Sequence, residues 1–134
     1  MKQSLRIFLV GLTAGAVLLP MAASSHHSAA MFDSEKELVM TGTVSKFDYL
    51  NPHSWLYVDI KNEDGSVTSW GFELEAPPRL RRIGVGPKNW VAGDLITVKT
   101  NPLRDGRPAG NLVGAIKQDG STFGEAKDLT APTE

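Results

Sequence analysis

From Leu38 onward the chain is cut at short intervals by turn residues, and the runs between them are rich in Val, Ile, Thr, Tyr, Trp and Phe. That punctuation leaves no room for long amphipathic helices. It dictates an antiparallel β protein, because branched and aromatic side chains suit a pleated, half-buried surface while Gly, Pro, Asn and Asp supply the reversals. Leu38 to Tyr49 reads as a long first strand, with Gly42 near its middle marking a bulge or sharp bend. Asn51-Pro52 breaks it, and Trp55 to Lys61 resumes with Leu56, Val58 and Ile60 on one face and Tyr57 and Asp59 on the other. Asp64-Gly65 makes a hairpin turn, and Val67 to Leu74 returns with Trp70, Phe72 and Leu74 toward the core.

The stretch from Ala76 to Gly84 changes character. Pro77 and Pro78 suit a first helical turn, Leu80 and Ile83 share a face at spacing three, and Gly84 is a suitable stop, so a single short helix is expected. Gly93-Asp94 opens a fourth strand, Leu95 to Thr100; Pro102 to Gly110 is a loop rich in Pro, Gly and Arg; and Asn111 to Lys117 is a fifth strand ending at Asp119-Gly120. Three strands, a short helix and two strands is the order of a small five-stranded OB-like Greek-key barrel, with an open sheet or small sandwich as the alternative all-β arrangement.

A chain of 134 residues is one domain's worth. The N-terminus carries export features: Lys2 and Arg6 are a short basic region, Ile7 to Leu19 an uncharged apolar run, and Pro20 with Met21-Ala22-Ala23-Ser24-Ser25 a break and small residues for a peptidase. The apolar run falls short of the roughly 20 residues a permanent anchor needs, so no stable membrane insertion is expected after cleavage. The expected organisation is a signal peptide over 1–25, cut between 23 and 25, one OB-like domain over 26–124 and a polar flexible tail over 125–134. The expected location is periplasmic or secreted. Without Lys2 and Arg6 the mature chain carries three more acidic than basic side chains, which argues against a nucleic-acid partner held by bulk charge. The absence of cysteine excludes disulfides, thiolate metal sites and cysteine nucleophiles, so packing alone must hold the fold.

Chemistry concentrates on three histidines. His26 and His27 stand at the expected start of the mature chain, and His53 lies in Asn51-Pro52-His53-Ser54-Trp55 between the first two strands, a loop on the usual ligand face of an OB barrel. Neutral imidazole suits Zn, Cu and Ni, and makes His26, His27 and His53 candidate metal ligands. Cleavage after Ser25 leaves His26 with a free α-amine beside its imidazole. Cleavage after Ala23 leaves Ser24-Ser25-His26, whose amine, two amides and imidazole offer a square plane of nitrogens suited to Cu(II) or Ni(II). Against this, His-His neighbours in an extended chain point to opposite sides, and a His in an Asn-Pro turn is commonly a surface residue. Met31, Asp33 and Glu35 follow closely and can complete a shell, although the carboxylates read equally well as a solvated lead-in to the first strand.

Other constellations are weaker. Ser28 and Ser54 lack the strand-turn-helix context of a nucleophile, so no catalytic residue is assigned. Arg79, Arg81 and Arg82, and Arg104 and Arg107, read as solvent contacts of a short helix and a loop. Trp55, Tyr57, Trp70 and Trp90 can stack a flat ligand on a barrel face, with Trp70 expected in the core.

The set His26-His27-Ser28, Met31-Phe32-Asp33, Thr41-Gly42-Thr43-Val44, Asn51-Pro52-His53-Ser54-Trp55, Gly93-Asp94 and Asn101-Pro102-Leu103-Arg104-Asp105-Gly106 resembles an exported bacterial family, domain of unknown function 6152, over nearly all of the mature chain. The resemblance implies a periplasmic or secreted small β-domain and brings no activity, substrate or catalytic residue. An aromatic commonly follows the His-His-Ser triplet in that family, where this chain has Ala29. The functional expectation is a periplasmic binding module for a transition metal, copper first or another divalent ion. The alternative is a metal-free domain contacting an envelope protein or a small ligand.

Overall fold

The computed structural model describes residues 29–133. The expected signal peptide and both His26 and His27 lie outside the described residues. A short 3-10 turn, Ala29–Met31, leads into β1 (Leu38–Asp48), β2 (Ser54–Lys61), β3 (Val67–Leu74), the helix α1 (Pro77–Arg82), β4 (Leu95–Pro102), β5 (Ala109–Lys117) and β6 (Thr122–Gly124). Among the described residues no helix is long and apolar enough to cross a membrane.

The strands close into a five-stranded barrel with OB-like order. β1 is long enough to serve two neighbours: its first half pairs antiparallel with β4, from Leu38 opposite Thr100 to Thr43 opposite Leu95, and its second half pairs with β2, from Thr43 opposite Asp59 to Asp48 opposite Trp55. β2 pairs with β3 and β4 with β5, both antiparallel. A short parallel pairing of β3 with β5, Gly71, Phe72 and Glu73 opposite Ala109, Gly110 and Asn111, joins the two ends of the sheet. Beyond the five expected strands, β6 pairs with β5 on the outside.

Gly42 makes the handover on β1 possible. A Cβ there would fall on the Asp59 carbonyl and lie 2.7 Å from Ile60 Cδ1, so only glycine lets β1 cross so close to β2. The register shift itself falls slightly farther on, between Val44 and Lys46, where the strand absorbs one extra residue and curls.

Alternation fills the interior. Leu56 and Val58 on β2, Phe72 on β3, Ile96 and Val98 on β4 and Leu112 on β5 converge, and helix α1 contributes a fully buried Leu80. Pro77 starts α1 without a side-chain cap, as a proline with no N–H to satisfy can. Ile83, expected to pack beside Leu80, is exposed because the helix ends at Arg82, and Val85 takes the buried place instead. The Tyr49 hydroxyl lies 3.0 Å from the carbonyls of Pro77 and Val85, tying the end of β1 to this connection. Trp90 is buried edge-on against Phe47 at 4.9 Å and Phe123 at 5.4 Å, so it belongs to the core and not to a ligand platform.

Two tight turns use the same chemistry. In Asp64-Gly65-Ser66 and Asp119-Gly120-Ser121 the aspartate Oδ1 accepts from the serine backbone N–H at 2.9 Å and from its hydroxyl at 2.6 Å. These bonds favour the charged form and lower both carboxyl pKa values.

Both flanking segments touch the barrel. Phe32 bridges to Leu103, the Asp33 N–H donates to the Pro102 carbonyl at 2.8 Å, and the Arg104 N–H donates to the Met31 carbonyl at 3.0 Å. After β6, Ala126 is buried and Asp128 accepts from the Lys99 ammonium at 2.8 Å. That bond holds the Asp128 carboxyl below its ordinary range and the Lys99 ammonium above its own.

Two outcomes follow. Gly42→Ala is expected to lower stability by about 1–3 kcal/mol, as overpacking does, whereas Gly86→Ala, with open space around its Cβ, stays within roughly 0.5 kcal/mol; urea unfolding of the two variants checks this. The depressed Asp128 pKa stabilises the clamped segment above the unfolded value of about 3.9, and the raised Lys99 pKa stabilises it below about 10.4. Amide-exchange protection at 125–129, measured relative to the intrinsic rate at each pH, should therefore be highest between these limits, and should fall as acid protonates Asp128, as alkali discharges Lys99, or on Asp128→Asn.

Candidate functional site

The outward face of β2 and β3 is built by the same alternation that fills the core. Opposite the buried Leu56, Val58 and Ile60, β2 turns Trp55, Tyr57 and Asp59 outward, and their cross-strand partners on β3 are Glu73, Gly71 and Ser69. Gly71 is the key small residue. A Cβ placed there would sit 3.4 Å from both Trp55 Cε3 and Tyr57 Cε1, so a methyl would just touch the rings and anything larger would displace them. The two half-buried rings stand with centroids 6.4 Å apart and planes inclined by 24°. Lys46, from β1, lies 5.5 Å from the Tyr57 ring and is bonded to Asp48 at 2.7 Å, which raises its pKa.

Two segments wall this face into a groove of about 590 Å³. One is the β4–β5 loop, with Leu103, Arg107 and Pro108; the other is the entering chain, with Met31 and Phe32. Arg107 is already engaged, its Nε donating to Asp105 Oδ2 at 2.8 Å and its backbone N–H to Oδ1 at 3.1 Å.

Beside Glu73, which lines the groove, stands His53. Its Nδ1 is paired with Oε1 of Glu73, a side chain that is 9% exposed where the imidazole is 32% exposed. Since an ionised carboxylate only accepts, the neutral form of this imidazole carries its hydrogen on Nδ1 and keeps a lone pair on Nε2. A carboxylate holding one ring nitrogen is the usual support of a metal-ligating or proton-transferring histidine.

The other candidates go elsewhere. Asp33 faces Lys36 and Arg104, each at 3.5 Å, and Glu35 is exposed. Ser54 is fully buried with its hydroxyl unbonded, so no Ser-His pair forms with His53. Arg79 pairs with Glu75 at 3.3 Å, while Arg81 and Arg82 are exposed. Trp70 is half-buried against the core. Among the described residues no group of three or more His, Asp or Glu side chains is gathered to hold a metal. His53 and Glu73 make two, and His26 and His27 lie outside the described residues.

Glu73 is the functional residue that reading the chain missed. An acidic residue on an outward strand position is ordinary, and only the register that sets it opposite Trp55 brings it to His53. Gly71 carried a readable signal, since a glycine inside a strand marks a close approach.

Fold and groove together define a small OB-like β-barrel with an aromatic-floored cleft on the face of its second and third strands. The model of the family of unknown function DUF6152 matches residues 15–112, and the chain belongs to that family. No curated protein matches the chain, and no solved structure does.

The pairing of His53 with Glu73 has a direct readout. Long-range nitrogen–proton NMR should show neutral His53 as the Nδ1–H tautomer, and Glu73→Gln should release that preference.

Proposed function

We propose that this protein is an exported binding module, periplasmic or secreted, that holds a transition-metal ion at the His53 corner. Copper is the first choice and another divalent transition metal the second. The observation that carries the reading is the His53–Glu73 pair, which fixes the imidazole and leaves Nε2 free to coordinate. His26 and His27 complete the set. Met31 lines the same groove as Glu73, and His27 precedes it by four residues, a reach of at most about 14 Å of extended chain.

The chemistry of this donor set suits copper. Imidazole nitrogens joined by a free α-amine form a nitrogen-rich shell of the kind Cu(II) prefers over oxygen-rich alternatives. The role proposed for this corner is to bind or deliver the ion, with an envelope protein as the partner that supplies or receives it.

Intact-mass measurement of the exported protein, with and without Cu(II), fixes the processed terminus and the stoichiometry together. One copper per chain is expected. His53→Ala should weaken binding by about tenfold or more, and Glu73→Gln by about 10–100-fold, the usual consequence of removing the residue that orients a ligand. Equal affinity in the His53→Ala protein removes the loop from the site and contradicts the proposal.

A further inference from the structure

The floor of the groove is not used by the metal corner. We infer that it is a saccharide-binding site, taking a neutral sugar of one or two pyranose rings stacked on Trp55 and Tyr57. This inference does not depend on the metal reading.

Three features of the groove argue for that ligand class. The first is shape: two aromatic rings inclined by 24° lie side by side on one strand, and Gly71 keeps the neighbouring strand from filling the space between them and the cleft. Aromatic rings bind ligands that present a flat apolar face, and the C–H face of a pyranose is one. The volume of about 590 Å³ falls within the roughly 300–1,000 Å³ of small-molecule sites.

The second is charge. Both ionic groups that line the cleft already have a partner inside the protein, Glu73 a hydrogen bond from His53 and Arg107 an ion pair with Asp105. An anionic ligand would have to draw Arg107 away from Asp105 and would meet the Glu73 carboxylate. A neutral polyol need not, because a carboxylate has lone pairs to spare for hydroxyl donors, a guanidinium has N–H groups left over for hydroxyl oxygens, and Ser69 offers a hydroxyl of either sense.

The third is the location. The face of strands two and three, bordered by the loops after strands one and four, is where five-stranded barrels of this order take oligosaccharides or oligonucleotides. An oligonucleotide needs a groove of unmatched positive charge along its backbone. Here Lys46 is neutralised by Asp48, Arg107 by Asp105, and the whole chain is net negative.

The test is a titration of the full mature protein, metal-free and with chelator present, so that its outcome is separate from that of the copper experiment. Cellobiose, maltose and N,N′-diacetylchitobiose are the probes, with oligothymidine and choline as comparison ligands, followed by tryptophan emission and calorimetry. At least one saccharide is expected to bind with Kd of about 1 mM or tighter, an ordinary value for a small neutral ligand. Trp55→Ala and Tyr57→Ala should each weaken it by about tenfold, in line with the loss of one stacking ring. Saturation-transfer NMR on the unaltered protein, reading sugar C–H contacts to aromatic protons, decides the matter even if a variant fails to fold. Absence of binding by every saccharide, binding unchanged in both variants, or tighter binding of oligothymidine or choline overturns the inference.

Discussion

The parallel contact between β3 and β5 determines whether this chain is a barrel or a curled sheet. It is short, running from Gly71 opposite Ala109 to Glu73 opposite Asn111, yet it joins the first and last of the five barrel strands in the order β3-β2-β1-β4-β5. Parallel pairing is slightly weaker per residue than antiparallel pairing, so the seam depends on the buried side chains around it, above all Phe72 beneath its middle. The seam also sets the site. By holding the start of β5 against the end of β3, it brings the β4–β5 loop beside Glu73 and Gly71 and gives the outer face of β2 a wall.

That wall converts an ordinary solvent-facing strand surface into a cleft whose ionic groups each have a partner within the protein. Glu73 accepts from His53 and Arg107 is paired with Asp105, and both groups keep hydrogen-bonding capacity toward the groove. The His53 imidazole is different in kind. It has one nitrogen committed to a carboxylate and the other free, an arrangement that favours coordination at Nε2. The proposed metal uptake at that corner and the inferred stacking over Trp55 and Tyr57 would use different atoms.

Much of the barrel was legible in the residues because local pattern and final environment agree. Val67–Leu74 could be bounded to the residue from its turns and its alternation, and Pro77 announced the helix. Closure was suggested by the order of elements alone, since three residue pairs leave no periodic trace. β6 was not foreseen because Thr122–Gly124 is too short to show a period, and Ile83 misled because its spacing from Leu80 promised a further helical turn that the chain does not make. For the site, His53 and its loop stood out by rarity and position. Its partner did not, because the meeting of His53 and Glu73 is a consequence of strand register across β2 and β3, which no local spacing encodes.

The central claim is that the Glu73-held imidazole of His53 is the anchor of a metal site completed by the processed N-terminus. Anomalous diffraction at the copper absorption edge, from crystals of the mature protein grown with one equivalent of Cu(II), addresses it directly. A single strong peak within coordination distance of His53 Nε2 is expected. A peak bound only by the terminal amine and histidines, away from His53, would contradict it.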